Sequence, residues 1–485
     1  MGVLSELEPK KVFQYFEEIC SIPHPSYKEK KISDYLVSFA KEHHLEYMQD
    51  ELYNVIMIAP ATSGYENEEP IIIQGHMDMV CEKTSDCTID FENDGLTLQI
   101  DGDDVTAQGT TLGGDDGIAV AYALAILDSP EVAHPKLEVI ITVSEEVGME
   151  GARGIDTSML EGHKLLNIDS ENEGVMTVSC AGGNSTVVKL PVRYEAMTGQ
   201  RMILNIDGCM GGHSGVEIDQ GRSNPNLSMG RLMLALKNDH IHFALSELSG
   251  GAKQNAIPRQ AKAAIITNDA KRAERIVQSV FEEVKNEYRT ADPGMKLTIE
   301  VQDEVTADVV TSEDFEKLLL LLNHLPRGIQ AMSMDIRGLV ETSLNLGILR
   351  LEPAQCVYEF AVRSSVATAR DEVTGRIRQL AGYVGATVEV TGIYPPWEFK
   401  KDSVLREDAI RLYQEMYGSE PVVEAIHAGL ECGLLAGKIP DLDAISIGPD
   451  IKDIHTTEEA LSISSTKRVY EYILRLLAMR HSTLD

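Results

Sequence analysis

Pro70-Ile-Ile-Ile-Gln-Gly-His76-Met-Asp78-Met-Val80 decides how this chain is read. Its successive isoleucines suit a strand buried on both faces, as in a parallel sheet covered by helices, and the run ends abruptly in His-x-Asp. Alternation along a strand puts residues i and i+2 on one face, so His76 and Asp78 can point to the same side. A histidine beside a carboxylate at a strand end suits a metal ligand with its orienting partner. Taken alone, such a pair is more often a surface loop. Recurrence along the chain changes that.

Leu137-Glu-Val-Ile-Ile-Thr-Val-Ser144 is a second β-rich run and ends in Glu145-Glu146. His163-Lys-Leu-Leu-Asn-Ile168 ends in Asp169, and Asp443-Ala-Ile-Ser-Ile-Gly448 leads through a short loop to His455. Asp115 lies in Gly113-Gly-Asp-Asp-Gly117, just before an apolar run over 118–127 that reads as a buried helix. Open α/β sheets gather their sites beyond the carboxyl ends of strands and at helix starts. His76, Asp115, Glu146, Asp169 and His455 are therefore candidate metal ligands on one site.

Two histidines and three carboxylates suit Zn²⁺, Mn²⁺ or Co²⁺ better than Ca²⁺ or a thiolate cluster. They exceed what one open catalytic zinc needs but fit two metals about 3.5–4 Å apart that share a bridging carboxylate. Of the adjacent Glu145 and Glu146, one can face the metals and the other can act as general base toward the water they activate.

The sequence resembles the aminoacyl-histidine dipeptidases (Xaa-His dipeptidases, peptidase D) of the dinuclear-zinc dipeptidase and carboxypeptidase superfamily. The resemblance rests on Ser21-Ile-Pro-His-Pro-Ser26, Gln74-Gly-His-Met-Asp-Met-Val80, Gly109-Thr-Thr-Leu-Gly-Gly-Asp-Asp-Gly117 and Ser144-Glu-Glu-Val-Gly-Met149, and continues in Gly211-Gly-His-Ser-Gly215, Asn255-Ala-Ile-Pro-Arg259 and His427-Ala-Gly-Leu-Glu-Cys-Gly433. It implies an α/β fold. A catalytic domain with a mixed, largely parallel sheet flanked by helices would carry an inserted α+β lid domain. It also implies that His76, Asp115 and Asp169 hold one metal and that Asp115, Glu146 and His455 hold the other. Asp78 would orient His76, Glu145 would be the base, and His213 would stabilise the oxyanion. Arg363 would meet the substrate's terminal carboxylate, with Asn255 adding a polar contact. Glu431 would either bind the substrate's ammonium or support the site. The expected cofactors are two divalent ions per chain, zinc first, with cobalt or manganese as alternatives. Small peptides, Xaa-His dipeptides above all, are the expected substrates.

Two of these roles also follow from chemistry. A donor aimed at a tetrahedral oxyanion is commonly worth ~3 kcal/mol. A free carboxylate is the natural partner of a bidentate arginine. The chain departs from the family at Asp116, where an asparagine is often found, which leaves open which aspartate bridges. Gly212-His-Ser-Gly-Val216 nearly matches a nucleophile elbow, but Val216 replaces the last glycine. The remaining alternatives are another amide hydrolase on the same fold (tripeptidase, carboxypeptidase or N-acyl amino-acid deacylase) and a non-catalytic metal-binding protein.

The chain has 485 residues and a formal net charge of −34, with 77 acidic against 43 basic side chains, so a nucleic-acid partner is improbable. Seven scattered cysteines without C-x-x-C pairs fit a reducing compartment. Without a signal-like N-terminus or a long apolar span, a soluble cytoplasmic protein with no membrane partner is expected.

Helices are expected over 10–20 and 29–43. The strand-then-ligand pattern stops near Gly183, and the last ligand comes only at His455, which divides the chain into a first catalytic segment, 1–184, an inserted lid, 185–396, and a second catalytic segment, 397–485. Within the lid, strand–helix–strand patterns at 260–301 and 357–391 suggest an internal duplication. Related enzymes dimerise through a single-copy lid, with a lid histidine entering the neighbour's site. A duplicated lid could supply His213 within one chain, so monomer and homodimer both stay open.

Overall fold

The computed structural model describes residues 2–481, and the expected domain ends at 1 and 485 lie outside them. The chain forms two compact units. One comprises the chain up to Cys180, Phe399–Ala425 and the chain from Leu430 onward; the other comprises Ala181–Glu398 with Ile426–Gly429. The joints fall within a few residues of 184 and 396. Ile426–Gly429, expected in the second catalytic segment, instead packs with the second unit.

The first unit is built on an eight-stranded sheet ordered Glu46–Gln49, Val55–Ala59, Leu137–Thr142, Ile71–His76, Lys164–Asn167, Asp443–Ser446, Val175–Cys180 and Val422–Ile426. The four strands from Leu137–Thr142 to Asp443–Ser446 are mutually parallel, and antiparallel pairings adjoin them on both sides. The parallel strands are the apolar runs that end in candidate ligands. Ile72, Ile73, Val139, Ile140 and Ile141 have no exposed surface, as strands covered on both faces require.

Helix Gly114–Leu127 is apolar on every side and almost wholly buried, so it sits inside the unit. Helix Lys10–Cys20 packs on it through the stripe of Val12, Phe13, Phe16 and Ile19. The close approach of Gly114–Leu127 to strand Ile71–His76 depends on Gly75. A Cβ there would lie 2.5 Å from both Asp116 Oδ2 and Ala119 Cβ.

In the second unit, nine antiparallel strands form one sheet. Its main path is Lys296–Val310, Tyr194–Asp207, Ala261–Thr267, Phe243–Gly250, Val340–Leu351, Gln355–Ser364, Gly182–Pro191 and Thr387–Tyr394, with Gly328–Met332 added against Val340–Leu351. Leu232, Val277, Leu318 and Ile377 from the helices pack with Leu204, Ile265, Leu346 and Phe360 from the sheet in one core. Read inward from either edge, the two halves repeat. Each runs from the strand after a long helix, to the half's first strand, to the strand before that helix, to the strand at the centre. The long helices are Ala270–Glu287 and Ala367–Tyr383.

Candidate metal centre

The four parallel strands deliver their ligands to one end of the sheet. His76 closes Ile71–His76, Glu145 and Glu146 follow Leu137–Thr142, and Asp169 follows Lys164–Asn167. His455 arrives after Asp443–Ser446, on the loop between the short strands Ile451–Lys452 and Ala460–Ser462, which pair with each other. It adopts a left-handed backbone, φ +63°.

His76 Nε2 lies 3.1 Å from Asp115 Oδ1 and 3.5 Å from Asp169 Oδ1. His455 Nε2 lies 2.8 Å from Glu146 Oε1 and 3.3 Å from Asp115 Oδ2. The two oxygens of Asp115 thus face the two histidines. Asp116, the competing bridge, turns away: its buried Oδ2 accepts the main-chain N–H of His76 at 3.1 Å, although it also lies close enough to His76 and Asp169 to count as a possible ligand. The peptide bond between Asp115 and Asp116 is cis.

Charge in this cluster is unbalanced. Burial opposes a protonated His76, yet the carboxylates of Asp115, Asp169 and Asp78 outweigh it and lift its pKa well above the usual value. Hydrogen bonds to Asp115 and Glu146 raise His455 to about 10. Burial likewise opposes ionised Asp115, but His455 and His76 hold it well below the usual carboxylate range. Burial, with Asp115 and Glu146 adding to it, pushes Asp169 up to about 6. The gaps between these imidazole nitrogens and carboxylate oxygens, bridged by protons here, are where divalent cations would sit. The donor set of two imidazoles and three carboxylates fits Zn²⁺, Mn²⁺ or Co²⁺, so the residues suit a pair of such ions.

Glu145 carries no hydrogen bond to the histidines, but its carboxylate lies within 4.8 Å of ligand atoms of His76 and Glu146. Burial, reinforced by Asp169, Glu431 and Glu146, pushes its pKa well above normal. A carboxylate poised to carry a proton beside a metal-ligand cluster has the properties of a general base.

Asp78 meets His76 with both its main chain and its side chain. His76 Nδ1 lies 2.9 Å from the main-chain carbonyl of Asp78, while the Asp78 carboxylate oxygen is at 3.4 Å. That carboxylate accepts the N–H groups of Glu145 at 3.0 Å and Glu146 at 3.4 Å and the Ser26 hydroxyl at 2.8 Å. Its side chain mainly shapes the Glu145–Glu146 turn. Glu431, offered as a substrate contact, is fully enclosed. It accepts from Gln74 Nε2 and Thr142 Oγ1, each at 2.6 Å, and burial lifts its pKa to about 8. Both bonds go to Oε2, so the enclosed carboxyl is held through one oxygen, and Oε1 has no hydrogen-bond partner among the described residues.

Two supporting carboxylates had no assigned role in the sequence reading. Glu459 accepts main-chain N–H groups from Leu112, Gly113, Gly114 and Asp115 at 2.7, 3.1, 2.8 and 3.4 Å. Its only signal was its place four residues after His455. Glu29 accepts both the N–H and the hydroxyl of Ser144, at 2.9 and 2.7 Å. Ser144 has φ +52°, and nothing in the sequence pointed to Glu29.

The other candidates lie in the second unit. His213 sits on the two-residue strand Gly212–His213, paired with Ala256–Ile257. Its Nδ1 accepts the N–H groups of Gly215 at 3.3 Å and Val216 at 3.2 Å, so the ring proton resides on Nε2. Nε2 lies 3.4 Å from Arg363 Nη2. Asn255 is exposed, and its carbonyl accepts the Ser214 N–H at 2.9 Å. Ser214 is followed by a turn, not by the helix that a nucleophile elbow needs.

A sequence model of Peptidase family M20/M25/M40 matches residues 72–479. The chain is 36% identical over 482 residues to the cytosol non-specific dipeptidase of Escherichia coli K12, covering 98% of this chain and 99% of that one. The crystal structure of aminoacylhistidine dipeptidase from Vibrio alginolyticus superposes with a TM-score of 0.93 at 36% identity, covering 99% of both chains. Aminopeptidase PepT from Bacillus cereus shares the fold at 15% identity with a TM-score of 0.56, covering 97% of this chain and 98% of that one.

Proposed function

Because the chain belongs to peptidase family M20/M25/M40, we propose that it hydrolyses unblocked dipeptides, Xaa-His among them, at a centre for two divalent cations. The observation that carries this reading is Asp115, whose two oxygens face His76 and His455 beside the buried Glu145. His76, Asp115 and Asp169 would hold one ion, and Asp115, Glu146 and His455 the other. Zinc is the proposed occupant. Such a pair, when bound, acidifies a water and polarises a carbonyl oxygen.

The chain's own residues do the rest. Glu145 takes a proton from the attacking water and returns it to the leaving amine. Burial and the neighbouring carboxylates raise its pKa, which favours its holding the proton between the two steps. His213 donates from Nε2–H to the developing oxyanion, and Arg363 binds the terminal carboxylate through its planar fork. Asp78, Glu29 and Glu459 hold the turns that carry Glu145, Glu146 and Asp115.

A cytosolic place of action belongs to the same proposal. All seven cysteines are free, as in a reducing compartment. Among the described residues, no helix is long and apolar enough to cross a membrane.

The test is hydrolysis of Gly-His by metal-stripped protein before and after adding Zn²⁺, Mn²⁺ or Co²⁺, beside Gly-Gly-His and N-acetyl-His. Restored cleavage of Gly-His alone is expected. Cleavage of the longer or acetylated compound would keep the metal centre and overturn the substrate.

A further inference from the structure

Among the described residues, five buried polar side-chain atoms of the second unit have no hydrogen-bond partner, and three of them are Ser214 Oγ, Arg363 Nε and His427 Nδ1. Their residues are 2%, 9% and 5% exposed. Such orphans are rare in folded proteins and each calls for a reason. These share one neighbourhood. A Cβ on Gly215 would lie 2.3 Å from the His427 carbonyl oxygen, 3.0 Å from His213 Cε1 and 3.1 Å from Arg363 Nε. Glycine at 215 is what allows the three segments to meet.

All three orphans can donate. The arginine can only donate and the serine hydroxyl can donate as well as accept, both by residue type. For His427 donation follows from its partner. Ser343, directly opposite Arg363 in the strand pairing, has Oγ 2.8 Å from His427 Nε2 and no other hydrogen-bond partner among the described residues. Were the hydroxyl to accept from Nε2–H, its own proton and the Nδ1 lone pair would both be stranded. If it donates to Nε2, the ring proton resides on Nδ1 and that group alone is left over. The second arrangement leaves fewer buried groups unpaired, so it prevails. Burial, with Arg363 and His213 adding to it, lowers the His427 pKa to about 3, so the ring is neutral. Arg363 Nη1 meanwhile donates to the Tyr394 hydroxyl at 3.1 Å, which fixes the guanidinium plane.

We propose that His427, set in its tautomer by Ser343, is a specificity-determining residue. Its Nδ1–H and the Ser214 hydroxyl join Arg363 in binding the substrate's free α-carboxylate. Two N–H groups that can only donate, from Arg363 and His427, beside a hydroxyl that can also donate, favour an anion over a carboxamide, whose NH₂ would face an N–H. The proposal rests on the dipeptidase reading and adds two residues to the recognition of the free C-terminal carboxylate.

The test compares His427→Asn, His427→Gln and Ser343→Ala on Gly-His and on its C-terminal amide. Asparagine can place an amide group near the Nδ1 position, whereas glutamine reaches the Nε2 position and keeps only the Ser343 contact. Loss of a hydrogen bond to a charged group predicts about a tenfold or greater fall in kcat/KM on Gly-His for His427→Gln, carried by KM. His427→Asn should stay within about threefold of the parent, and Ser343→Ala should fall between. The amide's rate should not change in any variant. Equal losses on acid and amide, or rescue by glutamine instead of asparagine, would overturn the proposal, because either outcome marks a structural role. Calorimetric titration of the metal-loaded protein with L-histidine separates the two readings. Should the parent cleave no dipeptide, the dipeptidase reading falls. L-Histidine binding weakened by His427→Gln but not by His427→Asn then sustains the pocket, and any other pattern removes it.

Discussion

Replacing Glu459 with glutamine is expected to loosen Asp115 without touching it. Glu459 is 3% exposed, and each of its oxygens accepts two N–H groups from the turn over 112–115. Glutamine keeps one oxygen and turns an NH₂ toward the other pair of donors, so two hydrogen bonds to a charged acceptor are lost. At ~1.5 kcal/mol each, the low end for charged partners, that is about 3 kcal/mol. Part of this is returned because burial already disfavours the charge and raises the Glu459 pKa, leaving ~2 kcal/mol net. For a unit of this size, ~2–4 °C per kcal/mol implies a melting temperature lower by about 4–8 °C. The turn carries the carboxylate that faces both histidines, so metal affinity should also fall, by about 10–100-fold as for other lost supports of a ligand. Differential scanning calorimetry of metal-free protein and titration with Zn²⁺ read the two effects separately. A melting temperature within ~1 °C of the parent together with an unchanged isotherm would refute the argument, since a 2 kcal/mol loss could not hide.

Glu145→Gln should lower kcat by about 10²–10⁴, the range for a lost general base, while metal content by elemental analysis stays at the parent's level; retained turnover would remove the assignment. Arg363→Lys keeps the charge but loses the fork, so KM for Gly-His should rise about tenfold with kcat nearly unchanged, as steady-state kinetics would report. In metal-free protein, the folded pKa of His455, about 10, lies above its unfolded value. Its contribution to stability is therefore complete below about pH 6.5 and is lost as pH rises through about 10. Urea midpoints of chelated protein should fall across that window, and His455→Gln should make the fall shallower.

The sheet and the candidate ligands were legible because they obey local rules. A strand covered on both faces must be apolar throughout, so Ile71–His76, Leu137–Thr142, Lys164–Asn167 and Asp443–Ser446 announce themselves, and a polar residue just beyond such a run has little to do there except chemistry. The Asp115–Asp116 ambiguity was different. Both are aspartates at one helix start, and only the approach of strand Ile71–His76, made possible at Gly75, turns Asp116 behind His76 and leaves Asp115 between the histidines.

Glu459, Glu29 and Ser343 were illegible as supports for a common reason. Each acts on a segment remote in sequence: Glu459 on the turn over 112–115, Glu29 on Ser144, and Ser343 on His427. No period or motif within one segment encodes such a pairing; strand register and packing between segments do. Ile426–Gly429 illustrates the cost. The last residue of strand Val422–Ile426 and the three that follow it read as part of the first unit, yet they pack with the second unit and carry His427 there. The repeated sheet of the second unit carries the same lesson. Its two strand–helix–strand halves follow from pattern because both must bury the same kind of core, but the functional groups do not repeat with it. Arg363 lies on Gln355–Ser364, whose counterpart Ala261–Thr267 ends in Ile-Ile-Thr, and His213 lies on the excursion after Tyr194–Asp207. Burial constrains the halves to remain alike, while nothing in burial asks that their chemistry do so, which is why the scaffold can be read from periodicity and the pocket only from contacts.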